Sequence, residues 1–311
     1  MEKDIILVMI KDFVGKFVGH PYTQLVALIF TVGGSYISNV LSDEKFLPIL
    51  LLICSGALVA SLCITVIRIR KNKIDNYVHT LSQCAEKLSD TMGDLRNDKI
   101  ETRAALKPHL NLVCEQMKKS FESLYSILSK RKCSFGVCIK EIVAPEIYDD
   151  NPYNWRTLTI ARACDDSDRT ALDSTPQEVA QNTSFIETIM FVTPWTSRNL
   201  VKTKSNYEKA RKTYLNPDPK YLDFYKSTIV VPIKQQKDLV STVVKEYGKN
   251  NSCGDIHYLG FLCIDSLTTF TDKDKNFVIL VRLAKFFAQL LYPFFEEYLV
   301  HKIRKVEDEK Q

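Results

Sequence analysis

Trp195, followed closely by Arg198 and Asn199, brings an aromatic face together with two side chains rich in hydrogen-bond donors. A tryptophan ring stacks on planar groups, and guanidinium and amide donors suit a phosphate or the edge of a base. Arg162, Tyr225 and Asp265 add polar groups inside or beside stretches that alternate like strands. The competing reading makes Trp195 a core residue and Arg198 a solvated one, with Asp265 fixing a turn through Ser266. A catalytic set does not emerge. The histidines at 20, 79, 109, 257 and 301 fall on separate segments, and no glycine-rich phosphate loop, G-x-S-x-G or H-E-x-x-H pattern occurs. The chain is therefore expected to bind, not to catalyse.

Metal and disulfide chemistry are equally unpromising. The nine cysteines form no CxxC pair and no ligand spacing, and Cys114, Cys138 and Cys263 lie in apolar patterns where a small soft side chain packs well. That usage reads as free thiols in a reducing compartment. The net charge of +5 is modest and makes no basic stripe with interleaved aromatics, so nucleic acid is not an expected partner.

Hydropathy divides the chain. Residues 22–67 carry only three charges, Asp43, Glu44 and Lys45, all in one gap. On either side, 22–41 and 46–67 are uncharged and about long enough to cross a bilayer core of roughly 30 Å. The spacing predicts a two-helix transmembrane hairpin over 22–67. A cleavable signal peptide is not expected, because the apolar run starts late and a second follows at once. Lys3, Lys11 and Lys16 precede the pair, and Arg68, Arg70, Lys71 and Lys73 follow it. The positive-inside rule then puts both termini and the large domain in the cytoplasm, beneath the inner membrane, with the lipid bilayer as a partner. Residues 1–21 repeat Ile6, Met9, Ile10, Phe13, Val14 and Phe17 at helical spacing, which fits an amphipathic surface helix or a plain extension of the first span.

Within 68–103, Ile74, Val78, Leu81, Ala85, Leu88, Met92 and Leu95 step by threes and fours. This is a heptad seam, read as a short coiled-coil connector that pairs two chains in parallel. The alternative is one amphipathic helix packed on its own domain. Residues 97–102 read as a polar hinge, and Pro108 as the start of a helix to residue 130.

From Cys133 the period changes to two. Strands are predicted from Phe135, at 155–164, at 227–234 and at 258–266, with short helices at 184–191 and 205–214 and a long aromatic-rich helix over 272–306. The carriers 227–233 (STIVVPI) and 260–266 (GFLCIDS), then Phe270 and Asp272-Lys273-Asp274, resemble a GAF domain, a small-molecule-sensing fold related to PAS. The resemblance covers about 104–300 and delimits a sensory domain at 104–306, with a polar tail at 307–311. It implies an α+β fold: an antiparallel sheet of five or six strands, helices on one side, a ligand pocket on the other, and dimerisation through the flanking helices. It also implies a pocket beside 182–206, and hence a site formed by Arg162, Trp195, Arg198, Asn199, Tyr225 and Asp265. GAF pockets hold cyclic nucleotides, bilins, haem or metabolites, and some hold nothing. The Asn-Lys-Phe-Asp-Glu set of the cyclic-nucleotide binders is not intact, since Phe270 and Asp274 match only its tail. The cysteine-histidine dipeptide that attaches phytochrome chromophores is missing too. The cofactor is unknown, and the ligand is a small molecule with nucleotides among the candidates.

The expected whole is a membrane-anchored, dimeric cytoplasmic sensor that signals through its hairpin or a partner. Because no output module is recognisable, a membrane-acting effector of bacterial anti-phage defence is one version. The alternative is a GAF-like docking or dimerisation platform that binds no ligand.

Overall fold

The computed structural model describes residues 46–97, 99–100, 102–129, 132–143, 151–164, 173–241 and 252–308. The first predicted span, the amphipathic segment before it and the gap at 42–45 lie outside them. The chain divides into two compact units, Met1–Asn72 and Lys73–Gln311.

In the first unit, helix α1 (Phe46–Arg96) begins with the second predicted span. Its side chains Ile64, Val66, Ile67 and Ile69 are all exposed and point around the helix, not to one side.

The second unit is built on one antiparallel sheet with strand order β3-β2-β1-β7-β5-β4. The strands are β1 (Phe135–Val143), β2 (Arg156–Ala163), β3 (Gln177–Glu178), β4 (Trp195–Ser197), β5 (Ser227–Gln236) and β7 (Ile256–Ser266); the two-residue β6 (Ser252–Cys253) forms a hairpin with β7. Gly254 has φ +60°, a conformation that glycine adopts without strain in that tight turn.

Strand alternation sorts side chains into two cores. Phe135, Val137 and Ile139 of β1, Ile229, Val231 and Ile233 of β5, and Leu262 and Ile264 of β7 enter the helix-side core. Helices α2 (Arg103–Ser129) and α6 (Lys275–Asp308) cover that face. Helix α2 contributes Leu110, Val113, Met117, Phe121 and Leu124; α6 contributes Phe277, Leu280, Ala284, Phe287, Leu291 and Phe294. Each large side chain fully buried there stabilises by about 1.5–3 kcal/mol. The opposite face carries Cys138, Tyr258, Phe261 and Cys263, with Phe185 and Ile189 of α3 (Thr183–Met190) packed over them.

The β1–β2 ladder is interrupted once. The β1–β2 register shifts after Ile139, and Ile160 and Ala161 both enter the helix-side core, as in a β-bulge with two residues opposite one. Gly260 lies against β1 there, and a methyl group on it would overlap the Lys140 carbonyl oxygen.

Leu88 and Leu95 of α1 are buried in the helix-side core, and Leu81 and Met92 pack against it. Most of the predicted seam thus packs on its own domain, the alternative reading of the heptads, while Ile74 and Val78 remain exposed. Among the described residues, the helix long and apolar enough to cross a membrane is Lys275–His301, and half of its most apolar window is buried in the domain. It is the core helix α6. Pro108 lies inside α2, not at its start. The start is set earlier by Thr102, whose Oγ1 accepts from Ala105 N (3.2 Å) and whose carbonyl accepts from Leu106 N.

Candidate functional site: a polar cleft on the open face of the sheet

On the face opposite α2 and α6, the sheet floor holds a cleft of about 80 Å³. Cys138 and Lys140 of β1, Arg162 of β2, Cys263 and Asp265 of β7, and Thr228 and Val230 of β5 line it. They share this face because Cys138 is in register with both Arg162 and Cys263, and Cys263 with Val230. One side is closed by the start of α3. There the Asn182 Oδ1 caps the helix, accepting from Ser184 N (3.1 Å) and Ser184 Oγ (2.6 Å). Residues 214–218, ahead of the one-turn helix α5 (Tyr221–Phe224), close another side. This segment is tied to α3 by Leu215 N donating to Thr183 Oγ1 (2.8 Å) and Thr183 N donating to Leu215 O (3.1 Å). Asn216 Nδ2 donates to Tyr225 Oη at 2.9 Å. The rest of the same face is filled by rings, Phe185 stacked on Phe261 (4.3 Å) and Trp155 against Tyr258 (6.0 Å).

The cleft is charged. Arg162 Nε donates to both Asp173 oxygens (3.2 and 3.0 Å), and Nη2 donates to Oδ1 (2.7 Å). Burial alone would disfavour the Arg162 charge; Cys138, the hydrogen-bonded Asp173 and Asp265 outweigh it and raise its pKa. Lys140 Nζ donates to Thr159 Oγ1 (3.1 Å) and Gln177 Oε1 (3.3 Å). Burial, reinforced by Cys138 and Asp265, pushes the Cys263 thiol well above its ordinary value, so it stays protonated. The arrangement offers fixed donors and carboxylate acceptors around a small space, which suits recognition.

Arg162, Tyr225 and Asp265 line this cleft, and Trp195, Arg198 and Asn199 do not. Trp195 donates from Nε1 to a Glu187 carboxylate oxygen (3.0 Å) and stacks near Tyr214 (5.9 Å). Arg198 Nη1 donates to the carbonyls of Thr271 (2.7 Å) and Asp272 (2.6 Å), with its guanidinium over the Phe277 ring. Asn199 caps helix α4 (Leu200–Lys209) by accepting from Lys202 N. Lys140, Asp173, Gln177, Asn182, Tyr214 and Asp218 also line the cleft and were not singled out by sequence. One signal was available for Lys140: it is the charge on the β1 face that otherwise carries Cys138 and Ile142.

The sequence matches no family model and no curated protein. Solved structures that the chain matches include the GAF domain of an Acinetobacter phosphoenolpyruvate-protein phosphotransferase, at 12% identity, TM-score 0.32, over 68% of this chain and 90% of that one. The corresponding domain from Coxiella burnetii matches at 13% identity and TM-score 0.31, over 67% and 94%. A phycoerythrobilin-bound GAF domain from a cyanobacterial phytochrome matches at 13% identity and TM-score 0.33, over 70% and 97%. The functional reading rests on the sheet order and the geometry of the cleft, not on these likenesses.

Proposed function

We propose that this chain is a GAF-like sensor of a small polar molecule, held in the cleft between the sheet floor and the 214–218 segment. The observation that carries this reading is the buried Arg162–Asp173 pair opening onto a space also lined by Lys140 and Asp265. Buried charges are costly unless paired, and polar groups converging on a concave site mark binding sites. The reading predicts that a small molecule comes off the protein when it is denatured. Mass spectrometry of the full-length chain, purified in mild detergent and then denatured, tests it. Absence of any stoichiometric small molecule, with the cleft also refusing every added metabolite, would sink the idea.

The sensor is proposed to sit at the inner face of the cytoplasmic membrane, anchored by the apolar segments within 22–67. Support comes from their lack of charge and from the outward Ile64, Val66, Ile67 and Ile69, since a helix apolar on every side suits lipid. Pairing of two chains would use Ile74 and Val78, and the output is proposed to pass through the membrane segment or a partner. Membrane disruption in anti-phage defence is one form of that output; an unchanged membrane potential on adding signal to cells expressing the chain would count against it.

A second reading, a docking platform without ligand, is favoured by one feature. Rings of Phe185, Phe261, Trp155 and Tyr258 fill much of the face that would otherwise hold a larger ligand. The mass-spectrometric measurement separates the two.

A further inference from the structure

We propose that a groove between α1, α2 and the entry to β1 binds the phosphate of an anionic phospholipid headgroup. This rests on the reading of 22–67 as a membrane anchor, and adds a lipid class and the residues that select it. The groove is separate from the cleft, with which it shares no lining residue.

The groove measures about 590 Å³. Lys118, Glu122 and Ser126 follow one another in four-residue steps along α2 and so share one face of it. Lys73 of α1 reaches that face, its Nζ donating to the carbonyl and hydroxyl oxygens of Ser126 at 3.4 Å each. Lys132, ahead of β1, borders the groove from an exposed position. Three lysines from three separate segments thus converge on one space, against one carboxylate. That carboxylate is already engaged: Glu122 Oε1 accepts from Phe135 N at 3.3 Å, which ties α2 to the start of β1.

The excess of positive charge draws an anion. Lysine ammoniums are compact point charges that bind phosphate without fixing its orientation, and the hydroxyls of Ser123 and Ser126 add short polar groups to the wall. A nucleotide base has nothing to stack on, because no aromatic ring is among the described residues of the lining. What favours a lipid over a free anion is the address. Six residues separate Lys73 from Ile67, where the uncharged segment 46–67 ends, so the chain keeps this lysine within about 20 Å of that end. With the segment in a bilayer, the groove then has a leaflet's polar layer as its neighbour, and basic pockets on the cytoplasmic side of membrane helices take anionic headgroups. Arg68, Arg70 and Lys71 raise the positive charge of the same stretch.

The test is native mass spectrometry of the full-length chain in mild detergent, titrated with phosphatidylglycerol, phosphatidylcholine or inorganic phosphate. Phosphatidylglycerol is expected to bind at least tenfold more tightly than phosphatidylcholine, and an equal concentration of inorganic phosphate is not expected to displace it. Lys118→Gln combined with Lys132→Gln is expected to weaken phosphatidylglycerol binding at least fivefold. Lys204→Gln combined with Lys209→Gln removes the same charge from exposed positions on α4 and leaves binding unchanged, which separates a built site from general attraction. Lys132→Gln alone changes one exposed residue and should weaken binding at least twofold, so the test stays open should the double variant fail to fold. Equal binding of the two lipids, equal losses in the two double variants, or displacement by phosphate overturns the headgroup site. Flotation with phosphatidylcholine vesicles after an alkaline wash reads the anchor separately. A chain that stays with the vesicles yet shows no lipid preference keeps the anchor and loses the headgroup site; a chain washed off them overturns both.

Discussion

Arg162 and Asp173 meet edge to edge, with Nε and Nη2 of the guanidinium both on one carboxylate and side-chain exposures of 12% and 5%. Such a pair is worth little as net stability, because each charge has lost its water; breaking it is another matter. Asp173→Ala leaves a buried guanidinium without its partner and is expected to cost about 3–5 kcal/mol. Arg162→Met combined with Asp173→Leu should cost less than that single change. Urea denaturation of the full-length chain and the two variants checks this. A single variant that melts with the wild type would mean that the pair is solvated.

Gly260 is expected to be intolerant of any side chain. A methyl group there overlaps the backbone oxygen of Lys140, and backbone in the middle of a sheet gives way less easily than a side-chain end. Gly260→Ala should lose on the order of 1–3 kcal/mol, as overpacked cores do. Thermal melting reads it out, and an unchanged midpoint would contradict the close approach.

Val192 follows the end of α3 with φ +57°. A β-branched residue is strained there, by about 1–2 kcal/mol relative to glycine. Val192 is also 41% exposed, so little packing is lost on its removal. Val192→Gly is therefore expected to raise the melting temperature, and a fall would show that its side-chain contacts outweigh the strain.

His257 sits buried in β7, and burial, with Lys237 nearby, lowers its pKa from 6.5 to about 4. As pH falls below 6.5 the unfolded chain takes up this proton and the folded one does not, until about 4. The contribution of this residue to stability is thus full above pH 6.5, lost progressively between 6.5 and 4, and level below. His257→Gln should flatten that part of the stability–pH curve. An identical slope in the variant would assign the dependence to other groups.

The large elements were legible because their periods are clean. The strands of 227–234 and 258–266 match β5 and β7 within two residues at each end, and the long aromatic helix corresponds to α6. Where capping decided, periodicity misled. A helix was expected at 205–214, but Asn199 starts α4 earlier and its helix ends at Lys209. The cleft was half legible. Arg162 alternates with Ala161 and Ala163, and Asp265 follows Ile264, all three on the helix side, which sets both charges on the open face. Trp195 opens the three-residue β4 and Arg198 sits between β4 and α4, and their partners Glu187, Thr271 and Asp272 take them out of the lining. Asp173 belongs to a turn with no periodic signal, and only the folded chain brings it to Arg162.

The most direct measurement compares small molecules released on denaturing the full-length chain and a Thr228→Trp variant, in which the indole occupies the cleft. The expected result is one stoichiometric molecule from the wild type and none from the equally folded variant. Release of the same molecule from both, or of nothing from either, would contradict a ligand in this cleft.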